Sequence, residues 1–235
     1  MLGAPVTDLD LRSPRRIAQI LTTALRLYVR MPLLFLFLAG IVVVPYEVAS
    51  VLIQNGGKSG LTATEAVLVL IDLALINPFV AALQVQAVLD LGEGRRPVLS
   101  EVFRRGLSVL PVVAAAEIVV GLSEGIGLFL FVIPGLIVAV RWAVAAQVAA
   151  VERTDWPTAL RRSLELTRGN FWRVLGLLAI VGILDNVTFA IIGSGQSTGA
   201  TIAGIAVAII VSSFGTLVTN LLYFDLRARE AGSVA

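Results

Sequence analysis

Polar and ionisable side chains are rare within long apolar runs and are usually functional or paired there. Five of those in this chain are the strongest candidates for chemistry: Asp72, Asn77, Glu117, Arg141 and Asp185. Arg141 is the most informative, since an arginine at the centre of a membrane helix costs at least about 2.5 kcal/mol on insertion scales and needs a partner. Asn77 precedes Pro78, which lacks a backbone N–H and predicts a helix kink. These five residues form the candidate intramembrane polar site.

Two acidic residues are candidate partners for Arg141. Glu117 lies ten residues beyond Leu107, the predicted start of its helix. Arg141 lies ten residues before Val151, the predicted end of the next helix. An antiparallel pair of these helices would place both charges about 15 Å from one membrane edge. The spacing favours a Glu117–Arg141 ion pair, with Asp185 as the next option; alternatively, the charges form a site on a path for a solute or a lipid headgroup.

Most enzyme chemistry is excluded by composition. The chain has no cysteine and no histidine, which removes thiolate nucleophiles, imidazole bases and the commonest ligands of transition metals. It also lacks the glycine-rich phosphate-binding motif that ends in Lys and Ser or Thr. Glu117 and Asp185 are the best carboxylate pair, but no spacing brings them together. We therefore predict no catalytic, cofactor-binding or metal site, no cofactor and no enzyme activity.

The elements that hold these residues are predicted to be membrane helices. Hydrophobic residues make up 57% of the chain and charged residues only 14%, and a span of the hydrocarbon core needs roughly 20 apolar residues. Six runs meet that length. The fold class is therefore all-α integral membrane, with spans at about 32–53, 66–89, 107–130, 135–151, 174–192 and 201–224.

The basic residues predict the orientation of these spans. All but two of the 18 Lys and Arg residues fall before the first span, after the last, or in every second connection. The two exceptions are Lys58 and Arg141. Since basic flanks stay in the cytoplasm, we expect a multi-pass protein of the bacterial inner membrane with a cytoplasmic N-terminal region, 1–31, and a cytoplasmic tail, 225–235. The net charge of +2 is spread out rather than dense, so no nucleic-acid partner is expected.

A basic amphipathic stretch precedes each pair of spans, at 13–31, 100–110 and 155–171. This order predicts three parallel hairpins, each preceded by an interfacial helix. The basic side chains are interpreted as topology signals or as contacts for anionic lipid headgroups. The candidate headgroup contacts are Arg161, Arg162, Arg168, Trp172 and Arg173.

One turn is left open between two positions. The third hairpin turns either at 123–125 or at 133–135. The burial cost of Glu124 favours the earlier turn, whereas Pro134 and Gly135 favour the later one.

Two segments resemble a known family. The first contains Ile133-Pro134-Gly135, Arg141-Trp142, Glu152, Arg161-Arg162-Ser163 and 168–173; the second is 223–230. Both are similar to the membrane domain found fused to some bacterial glycerophosphoryl diester phosphodiesterases and also occurring alone. The resemblance implies an all-helical module of six or more spans. It does not imply the phosphodiesterase reaction, because the catalytic barrel of those relatives and its histidines are absent from these 235 residues.

Two functions follow as hypotheses. The first is a non-enzymatic scaffold or regulatory module in membrane lipid or envelope homeostasis, which contacts anionic lipids, another membrane protein or a second copy of itself through its basic segments. The second is a small transporter or permease subunit with a polar site near Arg141. The second hypothesis predicts a polar cavity that reaches the middle of the bilayer.

Overall fold

The computed structural model describes residues 9–54, 67–68, 70–193 and 198–234, with the side chains of 51–54, 187–193, 198, 200–201 and 233–234 excepted. The described residues form α-helices and no β-strand. A π-helical turn, Asp72–Ile76, leads into the third helix. The helices are α1 Ile17–Arg30, α2 Pro32–Gln54, α3 Asn77–Gly92, α4 Leu99–Leu130, α5 Val132–Trp142, α6 Ala145–Glu152, α7 Trp156–Thr167, α8 Phe171–Gly193 and α9 Thr198–Val234.

The architecture is that of a multi-pass membrane protein. Five segments have the length and apolar composition of a membrane span: Pro32–Ser50, Asp72–Gly92, Leu99–Leu130, Val132–Glu152 and Ile202–Gly232. A sixth is added if α7 and residues Phe171–Asn186 of α8, which meet at an angle of 109°, count as one broken span. The predicted all-helical class is therefore confirmed, and five to six apolar segments compare with the six predicted spans.

Several boundaries differ from those that the sequence predicts. The basic stretch 100–110 is not a separate interfacial helix, because α4 runs without a break from Leu99 to Leu130. Nor does the last helix end at Phe224, since α9 continues to Val234. No proline lies between these residues to end the helix. The three-hairpin repeat stays a prediction, and Lys58 lies outside the described residues.

The fourth span is broken in its middle. Helix α5 ends at Trp142 and α6 begins at Ala145, so the Arg141 carbonyl and the Val144 N–H lose helical partners. Side chains from α7 replace them. The hydroxyl of Ser163 donates to the Arg141 carbonyl at 3.0 Å and accepts from the Val144 N–H at 3.4 Å. Thr167 donates to the same carbonyl at 3.3 Å, and the break is thereby stabilised.

The third hairpin turns at Phe131, which has extended backbone angles between α4 and α5. This position lies two residues before Ile133, next to the later of the two predicted turns, and Glu124 remains inside α4. Glycine makes the turn possible: a Cβ on Gly135 would lie 2.5 Å from the Leu128 nitrogen. The two helices therefore approach through their backbones.

Helix α3 is the centre of the bundle. Its residues from Val80 to Val88 are all buried, as expected for a helix that is apolar on every side. Helix α1 packs on the same core, since Ile20 and Ala24 belong to one buried cluster with Leu217 of α9. The apolar side of this basic amphipathic helix is thus covered by protein, and its polar side remains exposed.

Candidate functional site

A polar cavity of about 410 Å³ lies among α3, α4, α6, α8 and α9. Asn77 and Asp185 are exposed and lie at its mouth. Gln147, which is only 4% exposed, lies in its interior. The apolar lining residues are Ala81, Ala143, Val181 and Gly215. The polar lining residues are Asn77, Glu117, Gln147, Asp185, Ser212, Thr216 and Thr219.

Three of the five predicted intramembrane residues meet in this cavity. Glu117 comes from α4, Asp185 from α8, and Asn77 from the start of α3. Asp72 lies behind the lining, where its Oδ2 accepts a 2.8 Å hydrogen bond from Asn77 Nδ2. The π-helical turn makes this contact possible, because the Asn77 N–H bonds to the Asp72 carbonyl five residues earlier. The structure thus places on one cavity two carboxylates that no sequence spacing connected.

Arg141 does not join them. Among the described residues, no ion pair within 4 Å links Arg141 to Glu117 or Asp185, and Arg141 is absent from the cavity lining. The predicted Glu117–Arg141 pair is therefore wrong. The depth argument was insufficient, because side chains at equal depth meet only if they also face each other around their helix axes.

The effects of neutralising Glu117 and Arg141 should consequently be independent. We expect the unfolding free energy of the Glu117→Gln/Arg141→Gln double variant to equal the sum of the single changes within about 0.5 kcal/mol, as for residues without a shared contact. Unfolding of the four proteins in mixed detergent micelles measures this. A coupling above about 1 kcal/mol would instead support the ion pair.

Four lining residues were not among the predicted site residues: Gln147, Ser212, Thr216 and Thr219. A signal for three of them exists. Ser212, Thr216 and Thr219 follow the spacing of four and then three residues that places side chains on one helix face. A polar stripe inside the last span therefore marks the face that α9 turns toward the cavity.

Several hydrogen-bond donors of the cavity are already used. Thr216 donates its hydroxyl proton to the Ser212 carbonyl, and Thr219 donates to the Gly215 carbonyl, each at 3.0 Å. Gln147 Nε2 donates to Asn220 Oδ1 at 3.3 Å, whereas Gln147 Oε1 is buried without a partner. The carboxylate oxygens of Glu117 and Asp185 can accept but not donate when they are ionised.

A second polar feature lies where the basic residues gather, at the end of the bundle formed by the start of α8 and the last turns of α9. We call it the basic end. Its centre is Asp225, whose side chain is 0% exposed. Arg173 and Arg229 donate to Asp225 Oδ2 at 3.0 Å each, and the Arg15 N–H donates to Oδ1 at 2.5 Å. Arg173 and Arg229 also donate to the Arg15 carbonyl. One carboxylate thus ties the segment before α1 to α8 and α9.

Arg162 makes a second set of ion pairs at the basic end. It bonds Glu230 of α9 through both terminal guanidinium nitrogens, and it lies 3.6 Å from Glu152 of α6. Tyr223 donates its hydroxyl to the same Glu152 at 3.1 Å. These contacts connect α6, α7 and α9.

Asp90 holds the end of α3 to the start of α4. Its side chain is 5% exposed, and it accepts hydrogen bonds from both terminal nitrogens of Arg105 and from Arg95. The hydrogen bond to Asp90 raises the pKa of the Arg95 guanidinium, which lies in the connection between the two helices. Arg95 and Arg105 are therefore both engaged with a buried carboxylate.

The predicted headgroup contacts divide into two groups. Arg162 and Arg173 face carboxylates of the bundle, as described above. Arg161, Arg168 and Trp172 are exposed, the last of them by 79%. Of the five predicted contacts, only these three are exposed.

Comparisons assign no relative: the chain matches no protein-family model, no curated protein and no solved structure. The resemblance to the phosphodiesterase-associated membrane domain stays a prediction.

Proposed function

We propose that this chain is a small transporter or permease subunit that holds its solute in the polar cavity. The observation that carries the proposal is a space of about 410 Å³ inside the bundle that is lined by two carboxylates, Glu117 and Asp185, and by no Lys or Arg among the described residues. Carboxylates without a counter-charge are unfavourable at membrane depth. A bound solute or water would solvate them, so the cavity is better explained as an occupied site than as a packing defect.

The depth of the cavity supports the same function. Asn77 lies 15 residues before Gly92, the end of α3, which corresponds to about 22 Å along the helix axis. That distance exceeds half of a hydrocarbon core of about 30 Å. Ionisable side chains that face a cavity at this depth are typical of solute and ion pathways.

A second candidate is the scaffold or regulatory module in membrane lipid or envelope homeostasis. It is favoured by the exposed Arg161, Arg168 and Trp172, which suit contact with anionic lipid headgroups. Partners of this kind, and assembly with another membrane protein or a second copy, stay predictions. The other two arginines among the predicted headgroup contacts, Arg162 and Arg173, weaken this candidate, because ion pairs inside the bundle occupy them.

The location proposed with either function is the bacterial cytoplasmic membrane, with the basic end and both termini in the cytoplasm. Its support is the distribution of basic residues, of which only Lys58 and Arg141 depart from one side.

Cysteine labelling tests the transporter proposal directly. The chain has no native cysteine, so Thr216→Cys places one thiol in the cavity without background. We expect membrane-impermeant methanethiosulfonates to modify it in right-side-out and in inverted vesicles, about tenfold faster than a thiol surrounded by lipid, because the reactive thiolate needs water.

The matched control is Ile210→Cys on the same helix. Ile210 is 44% exposed on the bundle surface and is not a cavity residue, so we expect slow modification there. Equal rates at the two positions, or reaction of Thr216→Cys from one side only, would contradict a solvated transport site. The scaffold would then be the better function.

A further inference from the structure

We propose that the ligand of this cavity is an organic cation, a small protonated amine. The inference rests on the proposed function, since it names the solute class of the same site. Charge is its first argument. Glu117 and Asp185 both line the cavity, and no Lys or Arg does so among the described residues. Carboxylates without a counter-charge are unfavourable at membrane depth, and a cationic ligand would neutralise them.

Hydrogen bonding is the second argument. The carboxylate oxygens of Glu117 and Asp185 can only accept when they are ionised. Asn77 Nδ2 donates to Asp72, which leaves its Oδ1 as a further acceptor, and the hydroxyl protons of Thr216 and Thr219 are directed to backbone carbonyls. The lining is therefore richer in acceptors than in available donors. An ammonium group supplies up to three donors and accepts none.

Size and lining separate an organic cation from a metal ion. The cavity of about 410 Å³ is more than ten times the roughly 30 Å³ that one water occupies in the liquid. A bare ion would leave most of it empty, whereas a carbon chain would contact Ala81, Ala143 and Val181. Among the described residues, no group of three or more acidic side chains is placed to hold a metal ion.

The experiment compares two reagents on Thr216→Cys in membrane vesicles. They are 2-(trimethylammonium)ethyl and 2-sulfonatoethyl methanethiosulfonate, which are similar in length and opposite in charge. Each rate is divided by the rate with free 2-mercaptoethanol. We expect the cationic reagent to be favoured about tenfold or more, since a cleft lined by one sign of charge concentrates the opposite sign. The preference should disappear in the Glu117→Gln/Asp185→Asn background.

The control background is Glu101→Gln, which neutralises an exposed carboxyl in the first turn of α4 that does not line the cavity. It should leave the preference unchanged. A normalised preference for the anionic reagent, no preference, or a preference that survives in Glu117→Gln/Asp185→Asn would overturn the cation assignment while leaving the cavity as a solute site. Failure of both reagents to react with Thr216→Cys would instead overturn the proposed function.

A second measurement avoids the carboxylate variants, which can fail to fold. Modification of Thr216→Cys by the cationic reagent is followed in the presence of 1,4-diaminobutane, 1,4-butanediol or succinate, which have four-carbon chains and differ in charge. We expect the diamine alone to slow the reaction. Equal protection by the diol or succinate, or no protection by the diamine, would refute an amine ligand.

Discussion

Asp225→Ala should lower the free energy of unfolding by about 3 kcal/mol, the cost of removing one partner from a buried ion pair. The carboxylate is fully buried and accepts from two guanidinium groups, of Arg173 and Arg229. Without it, both cations and the Arg15 N–H lose their acceptor. Asp225→Asn should lower the free energy of unfolding by less, because the amide oxygen can still accept hydrogen bonds. Unfolding by sodium dodecyl sulfate in mixed micelles measures both changes.

The control is Glu93→Ala. Glu93 pairs with Arg95 at 2.5 Å, but the two side chains are 54% and 60% exposed. Exposed pairs contribute about 0 to 1 kcal/mol, so this variant should stay close to wild type. If Asp225→Ala were equally mild, the network at the basic end would have to be solvated rather than buried, and α1 would not be held through Arg15.

The role of Asp225 was not predictable from the sequence. Its local spacing to Arg229 indicates an exposed pair one helical turn apart in a tail, worth a few tenths of a kcal/mol. Its burial depends on Arg173 and Arg15, which are 52 and 210 residues away in the chain. The local pattern identifies the pair. Only the folded bundle shows that the same carboxylate joins the segment before α1 to α8 and α9.

The helices themselves were largely predictable, because apolar length is a local property. The first span was expected at 32–53 and α2 is Pro32–Gln54; the fifth was expected at 174–192 and α8 is Phe171–Gly193. The break in the fourth span was not predictable. The Arg141 carbonyl and the Val144 N–H at the break form hydrogen bonds with Ser163, which is distant in the sequence, and not with neighbouring residues. Long-range hydrogen bonds of this kind leave no periodic signal.

The candidate site was also predictable only in part. Helix length and position predict the depth of a side chain in the membrane, and this is why Asn77, Glu117 and Asp185 were identified as membrane-embedded. The direction of each side chain around its helix depends on packing. That direction excludes Arg141 from the cavity and includes Gln147, Thr216 and Thr219.

The ion pairs in the bundle also change how the basic segments are interpreted. A count of arginines indicates one basic surface, yet Asp90, Asp225 and Glu230 neutralise part of it from within the bundle. Such pairs hold helix ends together, whereas Arg161 and Arg168 are exposed. Ion-paired and exposed arginines therefore alternate along the same segments, and substitution of Arg161 should disturb the fold less than substitution of Arg173.

The α4–α5 hairpin gives the second large effect on stability. A Cβ at Gly135 would lie 2.5 Å from the Leu128 nitrogen and 2.9 Å from the Gly127 carbonyl carbon. Backbone atoms cannot move aside as a flexible side chain can, so Gly135→Val should cost about 3 kcal/mol, the upper part of the usual range for overpacking. The same unfolding assay in mixed micelles measures it.

Gly125→Val is the matched control for this prediction, because a Cβ at Gly125 of α4 would meet nothing within 4 Å. Replacing glycine within a helix is otherwise neutral to favourable, so we expect this variant to unfold at or slightly above the wild-type detergent concentration. The pair of variants also tests the position of the turn. A turn at 123–125 would place Gly125 in the tight connection, and Gly125→Val would then be the more damaging change. The turn at Phe131 requires the opposite order, with Gly135→Val the less stable of the two.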